Sequence, residues 1–156
     1  MNAPATLDRA GIAARIPHQA PMCLLERLLS WGADEIVCLA TDPADPAHPL
    51  RLGDALPAAC ALEIASQAMA LHGALCAPTP RPTPGFLASA RGVQLHVRTL
   101  HDAALPLRVR AKRVAGDAGQ ALYAFSLHDG RERVLVQGRA SVVFGSALAV
   151  PVERAR

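Results

Sequence analysis

From Leu56 to Leu75 the chain contains a single carboxylate, Glu63, and no Lys or Arg. Pro57 opens this run, where a proline suits the first turn of a helix because its missing N–H has no intrahelical partner there. The run predicts one long helix over 58–75, ending between Gly73 and Pro78, apolar enough to lie inside the fold. Glu63 then needs an explanation. An ionised carboxylate buried without a partner costs several kcal/mol, so such a position calls for a compensating interaction or a use. Burial also raises a carboxyl pKa, which suits proton transfer near neutral pH. A Glu that caps a neighbour or reaches solvent is the alternative.

The rest of the chain changes period. Asp8 to Arg15 reads as a short amphipathic helix stopped by Pro17. Met22–Trp31 and Glu35–Thr41 are β-favouring runs joined by a turn at Gly32–Asp34. Asp42 to Pro49 holds too much proline for a helix or strand and reads as a loop. After a proline-rich connector over 78–84, Phe86–Val97, Leu105–Val114, Ala121–Leu127 and Val134–Phe144 read as four more strands, with turns at Gly116-Asp117 and Asp129-Gly130. Residues 146–156 are expected to form a frayed tail. One apolar helix among six mostly antiparallel strands requires a sheet curved around it, an α+β architecture in a single domain spanning 1–156.

Composition narrows the function. With 156 residues the chain fits one domain, and 51% apolar against 3% aromatic residues means a core of Ala, Leu and Val that favours oligomers. A net charge of +3, without a basic run or a set of aromatic residues for stacking, argues against nucleic acid and leaves room for a small acidic protein face. Cys23, Cys38, Cys60 and Cys76 form no C-x-x-C pair, so reduced thiols in the cytoplasm are expected, without a disulfide framework or zinc. His96, His101 and His128 lack carboxylates at ligand spacing, so no metal is expected. The N-terminus lacks the pattern of a signal peptide, and Glu63 at the centre of the apolar run argues against a membrane span.

Three segments carry a resemblance. Ile16 to Ser30 resembles the opening of the hotdog-fold 3-hydroxyacyl-acyl carrier protein dehydratases of type II fatty acid synthesis. Leu56 to Ala68 is similar to that family's central-helix motif, in which a Pro-Gly turn leads to Leu-Glu and then Ala-Gln. Gly138 to Val143 resembles its last strand, and the chain looks closest to the divergent branch found with aryl-polyene and related polyketide pathways. The resemblance implies a hotdog fold that dehydrates a 3-hydroxyacyl thioester without a cofactor. His48 would serve as base, and Glu63 of a second subunit as acid. Backbone N–H groups at Ala58 and Ala59 would polarise the thioester carbonyl. Gln67, one helical turn beyond Glu63, would orient it, and Leu62, Phe86 and Leu87 would line an acyl tunnel.

Departures from the family pattern are visible. His48 stands in Ala-His-Pro-Leu where the family has Gly-His-Phe-Pro, one residue further from Glu63 than usual, and Ala58 replaces the family glycine. His18 is expected to be structural and is the reserve base. His72, on the opposite side of the helix from Glu63, is expected near solvent. Cys60, one turn before Glu63, is a poor nucleophile because a neighbouring carboxylate disfavours the thiolate. Arg108, Arg110 and Lys112 share one strand face and would receive an acidic carrier protein bearing the phosphopantetheine-linked acyl chain, although coenzyme A could also deliver it. A homodimer, a heterodimer in which this chain is a noncatalytic pseudo-dehydratase, and a hotdog thioesterase remain open.

Overall fold

The computed structural model describes residues 4–78, 85–117 and 119–144. The proline-rich connector and the expected tail therefore lie almost wholly outside the described residues. Among the described residues, seven strands form one antiparallel sheet in the order β1-β2-β3-β5-β6-β7-β4. They are β1 (Leu7–Asp8), β2 (Leu25–Trp31), β3 (Glu35–Ala40), β4 (Gly85–Leu95), β5 (Arg108–Gly116), β6 (Gln120–His128) and β7 (Val134–Phe144), with helix α1 at Arg9–Ala13 and helix α2 at Ala61–Cys76. A 3-10 turn at Ala58–Cys60 leads into α2. The sheet curls around α2, which packs against β2, β3, β5, β6 and β7. This is the α+β arrangement that the helix and strand pattern predicts, and it is the hotdog fold that the resemblance implies.

The strands form where apolar side chains alternate. In β6, Ala121, Tyr123, Phe125 and Leu127 point inward and are buried, and in β3 Ile36, Cys38 and Ala40 do the same. They meet Ala61, Ile64, Ala65, Ala68, Met69, Leu71 and Leu75 of α2 in one core. Ala58–Cys76, with a mean hydropathy of 1.2, is long and apolar enough to cross a membrane, yet half of it is buried against this sheet. Its apolar character is that of a core helix.

Several boundaries differ from expectation, each for a local reason. β1 adds a seventh strand of two residues, too short for any alternation to be read. β2 begins at Leu25 rather than Met22, because Met22 and Leu24 bond their backbone groups to the Gln67 side chain. β5 begins at Arg108 rather than Leu105: Pro106 has no N–H to give a ladder, and the Ala104 carbonyl accepts from Gly130 instead. Helix α1 is shorter than expected, capped where Asp8 Oδ1 accepts the Gly11 N–H at 2.8 Å.

That Gly130 contact makes a test. A Cβ at Gly130 would run into the Leu105 carbonyl, which is backbone and cannot swing aside. Gly130→Ala is expected to cost about 1–3 kcal/mol, as overpacking does, and to lower the melting temperature. An unchanged thermal denaturation midpoint would contradict this packing.

Candidate functional site

Glu63 sits near the start of α2 on a face that the sheet does not fully cover, and its side chain is 34% exposed. The expected deep burial is therefore corrected to a half-buried position. His18 Nε2 lies 3.0 Å from Glu63 Oε1, and Gln67 Nε2 donates to the same oxygen at 3.0 Å. The His18 bond above all, helped by that of Gln67, holds the Glu63 carboxyl below the usual carboxylate range against the opposing effect of burial. This overturns the expectation of a raised pKa, which assumed burial without donors.

Gln67 is fully buried. Its amide nitrogen also donates to the Met22 carbonyl at 2.7 Å, and its oxygen accepts the Leu24 N–H at 2.8 Å. The segment after His18 is thus bound to the helix, which brings His18 onto Glu63. Sequence reasoning expects His18 to be structural; the fold makes it the direct partner of Glu63.

His48 lies elsewhere on the same chain. Its ring is buried, Nδ1 is 3.2 Å from the Leu50 amide, and Nε2 is buried without a hydrogen-bond partner. Burial lowers its pKa, offset in part by Asp45. It lines a hollow of about 800 Å³ with Arg9, Cys23, Thr41, Asp42 and Asp45, and neither Glu63 nor His18 reaches that hollow. Arg9, steadied by the Cys23 carbonyl at 2.9 Å, is a site residue that sequence reasoning missed. A charged position on a short amphipathic helix carries no signal of what the helix will face.

The other candidates divide. The N–H of Ala58 is bonded to the Arg98 carbonyl at 2.9 Å and cannot polarise a substrate, while Ala59 is exposed at the start of the helix. Leu62 packs against the core. Phe86 and Leu87 lie on the edge strand β4, 49% and 43% exposed. Arg108, Arg110 and Lys112 share the outer face of the sheet, but Arg108 pairs with Glu132 at 3.1 Å and Arg110 with Glu35 at 2.6 Å. Burial raises the pKa of the Cys60 thiol, which keeps it a weak nucleophile.

His72 corrects a further expectation. It is fully buried rather than near solvent, with Nδ1 2.8 Å from the Tyr123 hydroxyl and Nε2 2.8 Å from the Gly32 carbonyl. The turn between β2 and β3 folds over the end of α2, a contact that helix periodicity cannot reveal.

The lowered pKa of Glu63 makes a pH prediction. A depressed carboxyl stabilises the fold above its unfolded value of about 4.3, and loses that contribution as pH falls through the folded value. Glu63→Gln should therefore melt below the wild type at pH 7, with the gap closing in acid; a gap that widens in acid would refute the lowered pKa of the Glu63 carboxyl.

With this geometry in hand, known structures can be compared. The dehydratase heterocomplex ApeI:P from Xenorhabdus doucetiae matches with a TM-score of 0.74 at 23% identity, covering 85% of this chain and 90% of that one. A thioesterase from Haemophilus influenzae matches at 0.63 and 14% identity, covering 92% and 94%. A mutant thioesterase from Pseudomonas aeruginosa matches at 0.65 and 12% identity, covering 93% and 99%. At these identities the three share the fold. No curated protein matches the sequence. A family model described as ApeP dehydratase matches residues 10–150, which takes in α1 from Ala10 onward, all of α2, all of the sheet beyond β1, and Glu63, Gln67, His18 and His48. The chain belongs to the ApeP-like dehydratase family.

Proposed function

We propose that this protein dehydrates a 3-hydroxyacyl thioester to the 2-enoyl thioester during the building of a fatty acyl, aryl-polyene or polyketide chain. The observation that carries this reading is the half-buried Glu63 carboxylate, held in place by His18 and Gln67 at the start of a core helix. β-Elimination needs a group to take the C2 proton, a proton for the departing hydroxyl and a donor to the thioester carbonyl. Glu63 and His48 are the groups proposed to touch the reacting atoms, with Gln67 as the orienting residue.

The two residues line different surfaces of one chain, and a second hotdog subunit is the proposed means of joining them. β4 supports this. It is an edge strand of eleven residues, and Phe86, Leu87 and Leu95 stand exposed along it. An edge of this length and apolarity invites strand pairing with another copy or with a related subunit. The likeness to a dehydratase heterocomplex keeps the heterodimer in view. Joining at β4 would also cover Phe86 and Leu87, so any acyl tunnel they line would belong to the assembly.

The substrate is proposed to arrive on an acidic acyl carrier protein in the cytoplasm, where the four free cysteines stay reduced. Of the outward basic residues on β5, Lys112 alone forms no ion pair among the described residues, so its contribution to docking should exceed that of Arg108 or Arg110. Coenzyme A remains the other possible carrier.

Two experiments test the reading. Glu63→Gln keeps the shape of the side chain and removes the proton-transfer group, so turnover of a 3-hydroxyacyl thioester should fall by roughly 10² or more. Wild-type turnover in that variant would refute the assignment, and release of free thiol instead of an enoyl product would identify a thioesterase. Light scattering should give the mass of two hotdog chains, alone or after mixing with a second dehydratase subunit. A monomer under both conditions would refute the shared site.

A further inference from the structure

On the outer face of the sheet, the ladder register lines up residues that stand far apart in the chain. Lys112 on β5 is opposite Ala124 on β6, Ala124 is opposite Arg139 on β7, and Arg139 is opposite Arg91 on β4. Directly opposed residues of antiparallel strands point to the same side, so these four form one row across the sheet. Burial agrees: Lys112, Arg139 and Arg91 are exposed, whereas their sequence neighbours Ala111 and Ala140, like Phe125 beside Ala124, are buried. With strands about 4.8 Å apart, the row spans about 14 Å. It carries three cations and no acid.

Arg91 and Arg139 stand out within it. Opposed residues have Cβ atoms about 4.5–5.5 Å apart, and like charges placed so are destabilising. Elsewhere on this face the arginines are answered by acids, Glu35 for Arg110 and Glu132 for Arg108. Among the described residues Arg91 and Arg139 enter no ion pair. Both border a hollow of about 510 Å³, which Ala124, Gln94 and Gln137 also line. Gln137 Nε2 donates to Gln94 Oε1 at 2.7 Å, which leaves the N–H groups of Gln94 as donors at the same hollow.

An anion between the two arginines would turn repulsion into attraction. A guanidinium offers its N–H groups in a planar fork that fits carboxylate or phosphate oxygens. A planar carboxylate is matched by one fork. A phosphate ester sets its oxygens tetrahedrally, so two forks can hold it from opposite sides.

We propose that Arg91 and Arg139 form a binding site for a phosphate ester, with Gln94 adding an N–H donor and Lys112 extending the positive row toward β5. The identity of the ligand rests on the dehydration reading. A substrate delivered as a phosphopantetheine thioester carries phosphate at the far end of its arm, whether the arm is attached to a carrier protein or belongs to coenzyme A. The site anchors that end of the arm. Strand pairing at the β4 edge engages backbone groups and not the face of the sheet, so a second subunit joined there leaves the row open.

Calorimetric titration of the assembled protein with phosphopantetheine, and with pantetheine, which lacks only the phosphate, tests the site without turnover. Wild type should bind the phosphorylated probe about tenfold more tightly or better, as charge-assisted hydrogen bonds give. R91Q/R139Q should abolish that preference. R27Q, which removes an exposed arginine from β2 near the opposite edge of the sheet, should keep it. Because the double substitution removes a like-charge contact, its thermal midpoint should not fall below wild type, which separates lost binding from lost folding. A preference that survives in R91Q/R139Q, or none in wild type, would overturn the site. Kinetics then identify the source of the phosphate. In R91Q/R139Q, a KM raised only for a carrier-linked 3-hydroxyacyl thioester assigns the site to the carrier arm, and one raised only for the coenzyme A thioester assigns it to coenzyme A. A rise for both supports the phosphate they share, and a rise for neither would overturn the link to substrate. A wild-type assembly that dehydrates neither thioester would overturn the dehydration reading and leave the titration result standing.

Discussion

Gln67 is the hinge on which the site turns. It is a fully buried amide whose oxygen and nitrogen bond the backbone of Leu24 and Met22, and whose nitrogen also reaches Glu63. An amide inside a core of Ala, Ile and Met is tolerated only when its groups are bonded, because each one left open costs about 1–3 kcal/mol. Those bonds dock the N-terminal segment onto the helix and set where β2 can begin. They also decide that His18, four residues before Met22, lands on Glu63. Packing, strand boundary and site geometry thus depend on one side chain.

The electrostatics of Glu63 follow from the same arrangement. A carboxylate on an apolar helix invites the inference that burial will keep it protonated. Here the two N–H donors outweigh partial burial and keep the ionised form favoured. His48 answers to a different constraint. Its loop folds back so that the Leu50 amide occupies Nδ1, which leaves the other ring nitrogen as a buried donor. The two side chains are therefore held by different local hydrogen bonds.

The sheet order carries a further consequence. The chain crosses from α2 to the far edge of the sheet, so β4 pairs with β7 on one side only. Its Phe86, Leu87 and Leu95 side chains are left exposed, and the outer face of β5 has most of its basic charge already neutralised by Glu35 and Glu132. An uncovered apolar edge and a largely neutralised basic face make strand pairing the stronger of the two surfaces for association.

Much of this was legible in the residues themselves. The apolar run broken only by Glu63 announces a core helix, and period-two alternation announces the strands, because those signals arise from local geometry. The spacing of Glu63 and Gln67 likewise places them on one helix face, since i and i+4 are neighbours on any helix. What needed the tertiary structure was every contact between distant segments. His18 on Glu63, His72 against Tyr123 and Gly32, Arg98 occupying the Ala58 N–H, and Glu35 and Glu132 on the β5 arginines all join residues far apart in the chain. Periodicity tells which face a residue occupies and nothing of what will meet that face. The sequence determined that a carboxylate would stand on the central helix, and only the fold decided that it would stand there ionised.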